Sequence, residues 1–219
     1  MLILDLDNTI FKTSTMNPKI FEEAINTISR FYESHPKSNS EDIIVELWEK
    51  PVDSVFNKYA TPPEIRNEFY NKISEIDFNE LEIKPFIDYS FLKEINMDRI
   101  LVTTGLTELQ NAKINALGIR NDFKEIHIDD PRANPRRTKF LIFERILIES
   151  KKPTDKIWVI GDNPDSEINA AHKLGMKTIQ RKSPSKTKSN LSNYYIESFK
   201  ELHEIIFQAE DKGIEPSSK

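Results

Sequence analysis

Four apolar runs that read as buried strands, helical segments between the later ones, and a long helical stretch after the first predict an α/β fold. It is a Rossmann-like parallel sheet with helices on both faces and an all-helical cap domain inserted after the first strand. The first run is 2–6 (Leu-Ile-Leu-Asp-Leu), mostly apolar instead of alternating, as a strand covered on both faces requires. Similar runs lie at 99–104, 125–128 and 156–160, with weaker ones at 177–180 and 194–196.

Residues 17–76 read as helix throughout. Asn17-Pro18 starts a helix with Ile20, Phe21, Ala24, Ile25, Ile28 and Phe31 on one face. Ser40 is placed to cap a second helix carrying Ile43, Ile44, Leu47 and Trp48, and a short third carries Val52, Val55, Phe56 and Tyr59. Thr61-Pro62-Pro63-Glu64 spells a capping box ahead of Ile65, Phe69 and Ile73. This stretch is too long for an ordinary crossover. The expected division is a core of 1–14 and 88–212, a cap of 15–87 and a flexible tail of 213–219.

In the second half, Thr107 to Gln110 spells another capping box, followed by Leu109, Ala112, Ala116 and Leu117 along one predicted face. Residues 139–149 are apolar on most sides and are expected to be well buried. Asn163-Pro164 offers an N-cap and a proline at the first helical position, and Ser198 to Glu201 is a further capping box. There are five glycines; Gly118 and Gly175 stand where helical patterns stop, the position at which a left-handed backbone favours glycine.

Composition removes several function classes. With 219 residues and 31% charged residues the chain suits one core plus a small accessory domain. Cysteine is absent, which excludes disulfide and thiol chemistry. A net charge of -5 is poor for binding nucleic acid, and no run approaches the ~18 apolar residues of a membrane span. No leader pattern precedes the first strand, so the expectation is a cytoplasmic protein, monomeric with a dimer left open, without nucleic-acid or membrane partners.

In an open parallel sheet, ligands bind beyond the carboxyl ends of the strands, so polar residues there carry most weight. Asp5-Leu6-Asp7-Asn8-Thr9 closes the first strand. Alternation places Asp5 and Asp7 on one side, and two such carboxylates call for a cation, with hard oxygens suiting Mg²⁺. A lone pair of acids is more often a solvated turn. A calcium loop is excluded, because its glycine and glutamate positions hold Ile10 and Met16. Thr103-Thr104-Gly105 ends the second strand with two hydroxyls and a backbone N–H able to hold a phosphate oxygen; the plain alternative is a strand running into a helix cap. Gly161-Asp162 ends the fourth. Asp165 and Glu167 follow, where acids also serve simply to complement a helix dipole. Lys139 is the best candidate to balance this charge and Arg137 its competitor, while Arg132 and Arg136 read as a solvated loop. His35, His127, His172 and His203 are scattered, without ligand spacing, and no metal role is expected for them.

Taken together, Asp5-Leu6-Asp7-Asn8-Thr9, Thr103, Lys139 (23 residues ahead of Asp162) and Gly161-Asp162 resemble the haloacid dehalogenase superfamily, in its phosphatase branch with a helical cap, similar to phosphoglycolate phosphatases. The resemblance runs from Leu2 to about Ala209. Two departures stand out: the second acid of the last motif is Glu167 where the family usually has aspartate, and the lysine lacks its common Lys-Pro form. The resemblance implies a nucleophilic Asp5 that forms an aspartyl-phosphate and an Asp7 that protonates the leaving group and then activates water. It implies Thr103 and Lys139 as catalytic residues that also bind the phosphoryl group, with Thr104 and Gly105 beside them. It further implies Mg²⁺ held by Asp5, the Asp7 carbonyl, Asp162 and Glu167, a cap hinged near 12–16 and 80–90, and a small phosphorylated metabolite as substrate. Family members that cleave carbon–halogen bonds lack the second aspartate, so Asp7 argues against dehalogenation. A sugar phosphomutase and a non-catalytic phosphate-binding relative are the alternatives, and the large helical insertion argues against a signalling receiver domain.

Overall fold

A computed structural model describes residues 1–34 and 40–211 of the chain. Six strands, β1 (Leu2–Leu4), β2 (Arg99–Thr104), β3 (Glu125–Asp129), β4 (Trp158–Gly161), β5 (Lys177–Arg181) and β6 (Tyr194–Ile196), form one sheet, all parallel, in the order β3-β2-β1-β4-β5-β6. The alternation inside β1 shows why the run is wholly apolar. Leu2 and Leu4 enter one hydrophobic cluster, with Leu101, Trp158, Ile160 and Ile179, while Ile3 enters a second on the opposite face, with Val102, Ile142, Phe143, Val159 and Ala171. Strand order reverses between β1 and β4, so a crevice opens at their carboxyl ends.

Between β1 and β2 lie α1 (Glu22–Glu33), α2 (Ser40–Glu49), α3 (Val52–Lys58) and α4 (Pro63–Ser74), followed by a short α5 (Tyr89–Lys93). Phe21, Ala24 and Ile28 are buried with Ile43, Val55, Phe56, Phe69 and Ile73, as helical spacing suggested. Asn17 caps a 3₁₀ turn that leads into α1, its side chain accepting from Lys19 N. Ser40, expected to cap α2, is instead its first helical residue, and what precedes it lies outside the described residues. The expected Thr61 box does not form: Pro62 takes the cap position without a side-chain bond, and the Thr61 hydroxyl bonds the Tyr32 hydroxyl at 2.6 Å. Where the chain returns to the core, Phe86 N donates to Ile10 O at 2.8 Å, and Asp88 is buried against Arg181 at 3.1 Å.

The later helices are α6 (Thr107–Ala116), α7 (Lys139–Ser150), α8 (Asn169–Lys173) and α9 (Leu202–Asp211). Ser198 and Glu201 form their capping box, and Gly118 and Gly175 have φ of 66° and 71°. Three expectations are corrected. Helix α7 buries Lys139, Ile142, Phe143 and Ile146 but leaves Leu141 and Ile148 exposed, so it is one-sided. In α6 the buried row is Gln110, Lys113, Ile114 and Leu117, with Ala116 exposed and Leu109 only partly buried. Thr107 is already helical there, and its N–H and hydroxyl bond Asp130 at 2.9 and 2.8 Å instead of capping.

Candidate active site

Three buried carboxylates meet at the crevice. Asp5 follows β1 directly and Asp162 follows β4. Glu167 reaches back from a π-helical turn, Pro164–Ile168, that Asn163 caps through Asp165 N at 3.0 Å. One ligand oxygen from each of the three lies within 4.8 Å of the others. Lys139, at the start of α7, donates to Asp5 Oδ1 at 2.6 Å and to Glu167 Oε2 at 3.0 Å. Lys139 is buried, whereas Arg137 is exposed, so the site's ammonium is Lys139.

Glu167 sits where it does because residue 161 has no side chain: a Cβ there would stand 2.1 Å from Glu167 Cγ. Its other oxygen accepts from Asn163 N at 3.2 Å. Asp165 is exposed and outside the cluster.

Three buried carboxylates outnumber the one ammonium bonded to them and leave excess negative charge. Burial pushes the Asp5 carboxyl well above its ordinary pKa, with Lys139 opposing and Glu167, Asp162 and Asp7 adding to the rise. Burial, helped by Glu167, raises Asp162 to about 7. For Lys139 burial favours the neutral amine, but Asp5 and Glu167 outweigh it and hold its pKa raised. Asp162 Oδ2 is buried without a hydrogen-bond partner among the described residues. An all-oxygen, net-negative cluster with an unpartnered oxygen fits a hard divalent cation such as Mg²⁺.

Asp7 is arranged differently. Asn8 adopts φ 56°, turning the chain just beyond β1, and its Oδ1 accepts from the Thr13 hydroxyl at 2.9 Å. The Asp7 carboxylate lies outside the three-carboxylate cluster: Oδ1 accepts from Lys113 Nζ at 2.7 Å and Oδ2 from Gln110 Nε2 at 2.8 Å. Gln110 Nε2 also donates to Thr103 Oγ1 at 2.5 Å. Sequence reading missed Gln110 and Lys113. Their i, i+3 spacing with Leu117 one turn on was the available signal.

Thr103 is fully buried against Gln110 and keeps its hydroxyl proton for another acceptor. The expectation for Thr104 and Gly105 is corrected. The Thr104 hydroxyl donates to Asp129 Oδ2 at 3.1 Å and Gly105 N to Asp129 O at 3.1 Å, so the groups expected to hold phosphate are spent on β3. Gly105 is instead needed for space, since a Cβ there would meet Gln110 Cδ at 2.9 Å.

The basic loop is corrected for Arg136, which is only partly exposed; Arg132 is exposed but paired. Arg136 bonds Asp129 at 2.8 Å and pairs with Asp53 of α3, while Arg132 bonds Glu108 at 2.7 Å and faces the Tyr70 ring of α4. These arginines join core to cap. Of the histidines, His127 bonds Glu125 at 3.0 Å, and His172 and His203 are exposed; the three-carboxylate cluster holds none of them, and His35 lies outside the described residues.

The family described as haloacid dehalogenase-like hydrolase matches residues 2–180. Glyceraldehyde 3-phosphate phosphatase of Methanopyrus kandleri is 24% identical over 196 residues, 82% of each chain. Among solved structures, a haloacid dehalogenase-like family hydrolase of Streptococcus pneumoniae matches with a TM-score of 0.69 at 17% identity, covering 94% of this chain and 97% of that one. The Bacillus subtilis protein YfnB, solved bound to magnesium, matches with a TM-score of 0.57 at 14% identity, covering 94% and 97%. At these identities the solved structures speak for the fold. No helix among the described residues is long and apolar enough to cross a membrane.

Proposed function

The chain belongs to the haloacid dehalogenase-like hydrolase family, and we propose that it is a Mg²⁺-dependent phosphatase that hydrolyses the phosphomonoester of a small metabolite through an aspartyl-phosphate on Asp5. The observation that carries this reading is the buried Asp5–Asp162–Glu167 cluster with the Lys139 ammonium paired to two of its members, at the switch point of the sheet. The phosphatase name of the Methanopyrus kandleri relative points the same way.

The Asp5 carboxylate attacks phosphorus; the new P–O bond forms as the ester P–O bond breaks, and the Asp7 carboxyl delivers a proton to the departing alkoxide. Asp7, now a carboxylate, takes a proton from water as that water attacks phosphorus, releasing phosphate and regenerating Asp5. Lys139 holds Asp5 and offers its remaining proton to a phosphoryl oxygen, and Thr103 offers its hydroxyl. Asp5, Asp162, Glu167 and the Asp7 backbone carbonyl would hold Mg²⁺, which when bound neutralises the carboxylates and the incoming dianion. Gln110 and Lys113 orient the Asp7 carboxylate.

The test is hydrolysis of an aryl phosphate with Mg²⁺, with chelator, and by Asp5→Asn. The reading requires turnover that chelator stops and a folded but inert Asp5→Asn. Wild-type activity in Asp5→Asn would remove Asp5 as nucleophile.

A further inference from the structure

The cleft that holds Asp5, Asp7, Lys139, Asp162 and Glu167 is roofed by the cap, and the two sides differ sharply in chemistry. The floor is charged. The roof is built from Phe21, Ile25, Leu47, Trp48, Phe69 and Ile73, with Met16, Pro51 and Val52 completing it. Among the described residues, Lys50 and the Trp48 indole are the roof's only side-chain hydrogen-bonding groups, and Lys50 is ion-paired to Glu46 at 3.1 Å. Leu106 and Leu109 carry the apolar lining down onto the core side.

All three of these aromatics are fixed by edge-to-face contacts. The Phe21 and Trp48 rings lie 5.3 Å apart at 86°, and Phe69 packs on the fully buried Phe56 at 5.3 Å and 89°. Ile25, Leu47 and Trp48 are only partly buried in the apolar cluster, so they keep surface turned to the cleft.

Resting on the phosphatase reading above, we propose that the alcohol leaving this site is apolar, an aliphatic or aromatic group, and not a polyol or a carboxylate-bearing one. A phosphoryl group bound on the floor points its ester oxygen toward the cap. A sugar or glycerol placed there would surrender hydroxyl–water bonds to a wall offering almost no side-chain partners. On the roof a carboxylate would find one cation, Lys50, already paired to Glu46, while the other lysines of the lining, Lys113, Lys139 and Lys186, belong to the core side. An apolar group instead covers roof surface that water otherwise wets, and the gain is realised beside the reacting phosphorus. The same wall weighs against a sugar phosphomutase, which must receive a polyol as well as release one.

The experiment compares kcat/KM of the full-length protein with Mg²⁺ for 3-methylbutyl phosphate and glycerol 3-phosphate. These are alkyl esters of similar size, so the intrinsic chemistry is matched. Acetyl phosphate, whose leaving group is too short to use the roof, reports phosphoryl transfer alone. The expectation is a preference for 3-methylbutyl phosphate on the order of 10- to 100-fold, narrowed in Leu47→Asn. Should that variant fail to fold, the wild-type ratio still decides. Equal or reversed preference with acetyl phosphate turned over overturns the apolar leaving group and leaves the phosphatase reading standing. No turnover of all three overturns both.

Discussion

Removing the cation should make this protein more stable in mild acid than at neutral pH, the reverse of ordinary acid lability. The Asp162 carboxyl is raised from 3.8 to about 7 in the folded protein, chiefly by burial, and Asp5 is raised as well. The unfolded chain has neither burden. Between the ordinary carboxylate pKa and about 7 the folded state therefore binds more protons than the unfolded state, so stability rises as pH falls through that window. One pKa unit corresponds to about 1.36 kcal/mol. Acidifying from pH 8 to 5.5 then stabilises the metal-free protein by about 2 kcal/mol from the Asp162 proton alone, or roughly 4–8 °C in Tm for a chain of this size. Asp162 is 4% exposed, so solvent screening removes little of this. Saturating Mg²⁺ should keep the carboxylates ionised, flatten the slope, and raise Tm more at pH 8 than at pH 5.5. Thermal unfolding in chelator and in Mg²⁺ at the two pH values measures all of this. Metal-free Asp162→Asn should exceed wild type at pH 8 and lose the part of the slope that Asp162 supplies, leaving that of Asp5. A chelated wild type whose Tm is flat or falls on acidification would show that the cluster is not strained by its own charge, and the argument for a cation would fail with it.

Lys113→Met removes a charge-assisted hydrogen bond to Asp7 worth about 1.5–3 kcal/mol. Expressed in the barrier, it lowers kcat about 10- to 100-fold, with little change in Tm because Asp7 stays partly hydrated; steady-state kinetics and a melt on one sample decide, and kcat within about twofold of wild type would free Lys113 from the role. Gly161→Ala drives a methyl into Glu167 and should displace that carboxylate. The expected result is weaker Mg²⁺ binding by calorimetry and a stability loss of about 1–3 kcal/mol, and unchanged Mg²⁺ affinity would place Glu167 outside the metal's reach. Asp88→Asn leaves Arg181 buried without its counter-charge and should cost about 3–5 kcal/mol by denaturant unfolding. For Asp88, burial acts upward, but bonds from Ser198, the Phe199 N–H and Arg181 outweigh it and hold the pKa below the ordinary range. Its contribution is thus present above about pH 4 and lost below, so wild type and variant should converge in strong acid.

The strands and the floor of the site were readable because each is a local pattern. A run buried on both faces is apolar throughout, and a carboxylate directly after it has one place to go, as does a lysine that opens the next helix. What escaped was pairing at long range. Gln110 and Lys113 occupy the inward row of α6, where hydrophobic periodicity selects Leu109 and Ala112 instead, because it treats a buried lysine as an exposed one. Thr104 and Gly105 looked free, since nothing near them in sequence reveals that Asp129 waits at the end of the neighbouring strand. Thr61 and Thr107 had the right spacing for capping boxes. Each found a better partner, Tyr32 and Asp130, supplied by another part of the fold. Arg136 read as solvated because one of its acids, Asp53, lies in the cap; Arg132 is exposed as expected, though it pairs with Asp130 nearby and Glu108 in α6.

Glu167 shows how a departure from a family's pattern is absorbed. A glutamate is one methylene longer than the aspartate more usual there, and a straight side chain would overshoot the pocket. Here the extra length is folded back across residue 161, in space that exists only because that residue is glycine. The turn carrying it is π-helical, wider than an α-turn, and its carboxylate is tied at both ends, to Asn163 N and to Lys139. Gly161 and Glu167 therefore act as a single unit. Gly161, which the sequence marks as a strand end and as part of the Gly-Asp motif, is what lets the longer acid join Asp5 and Asp162.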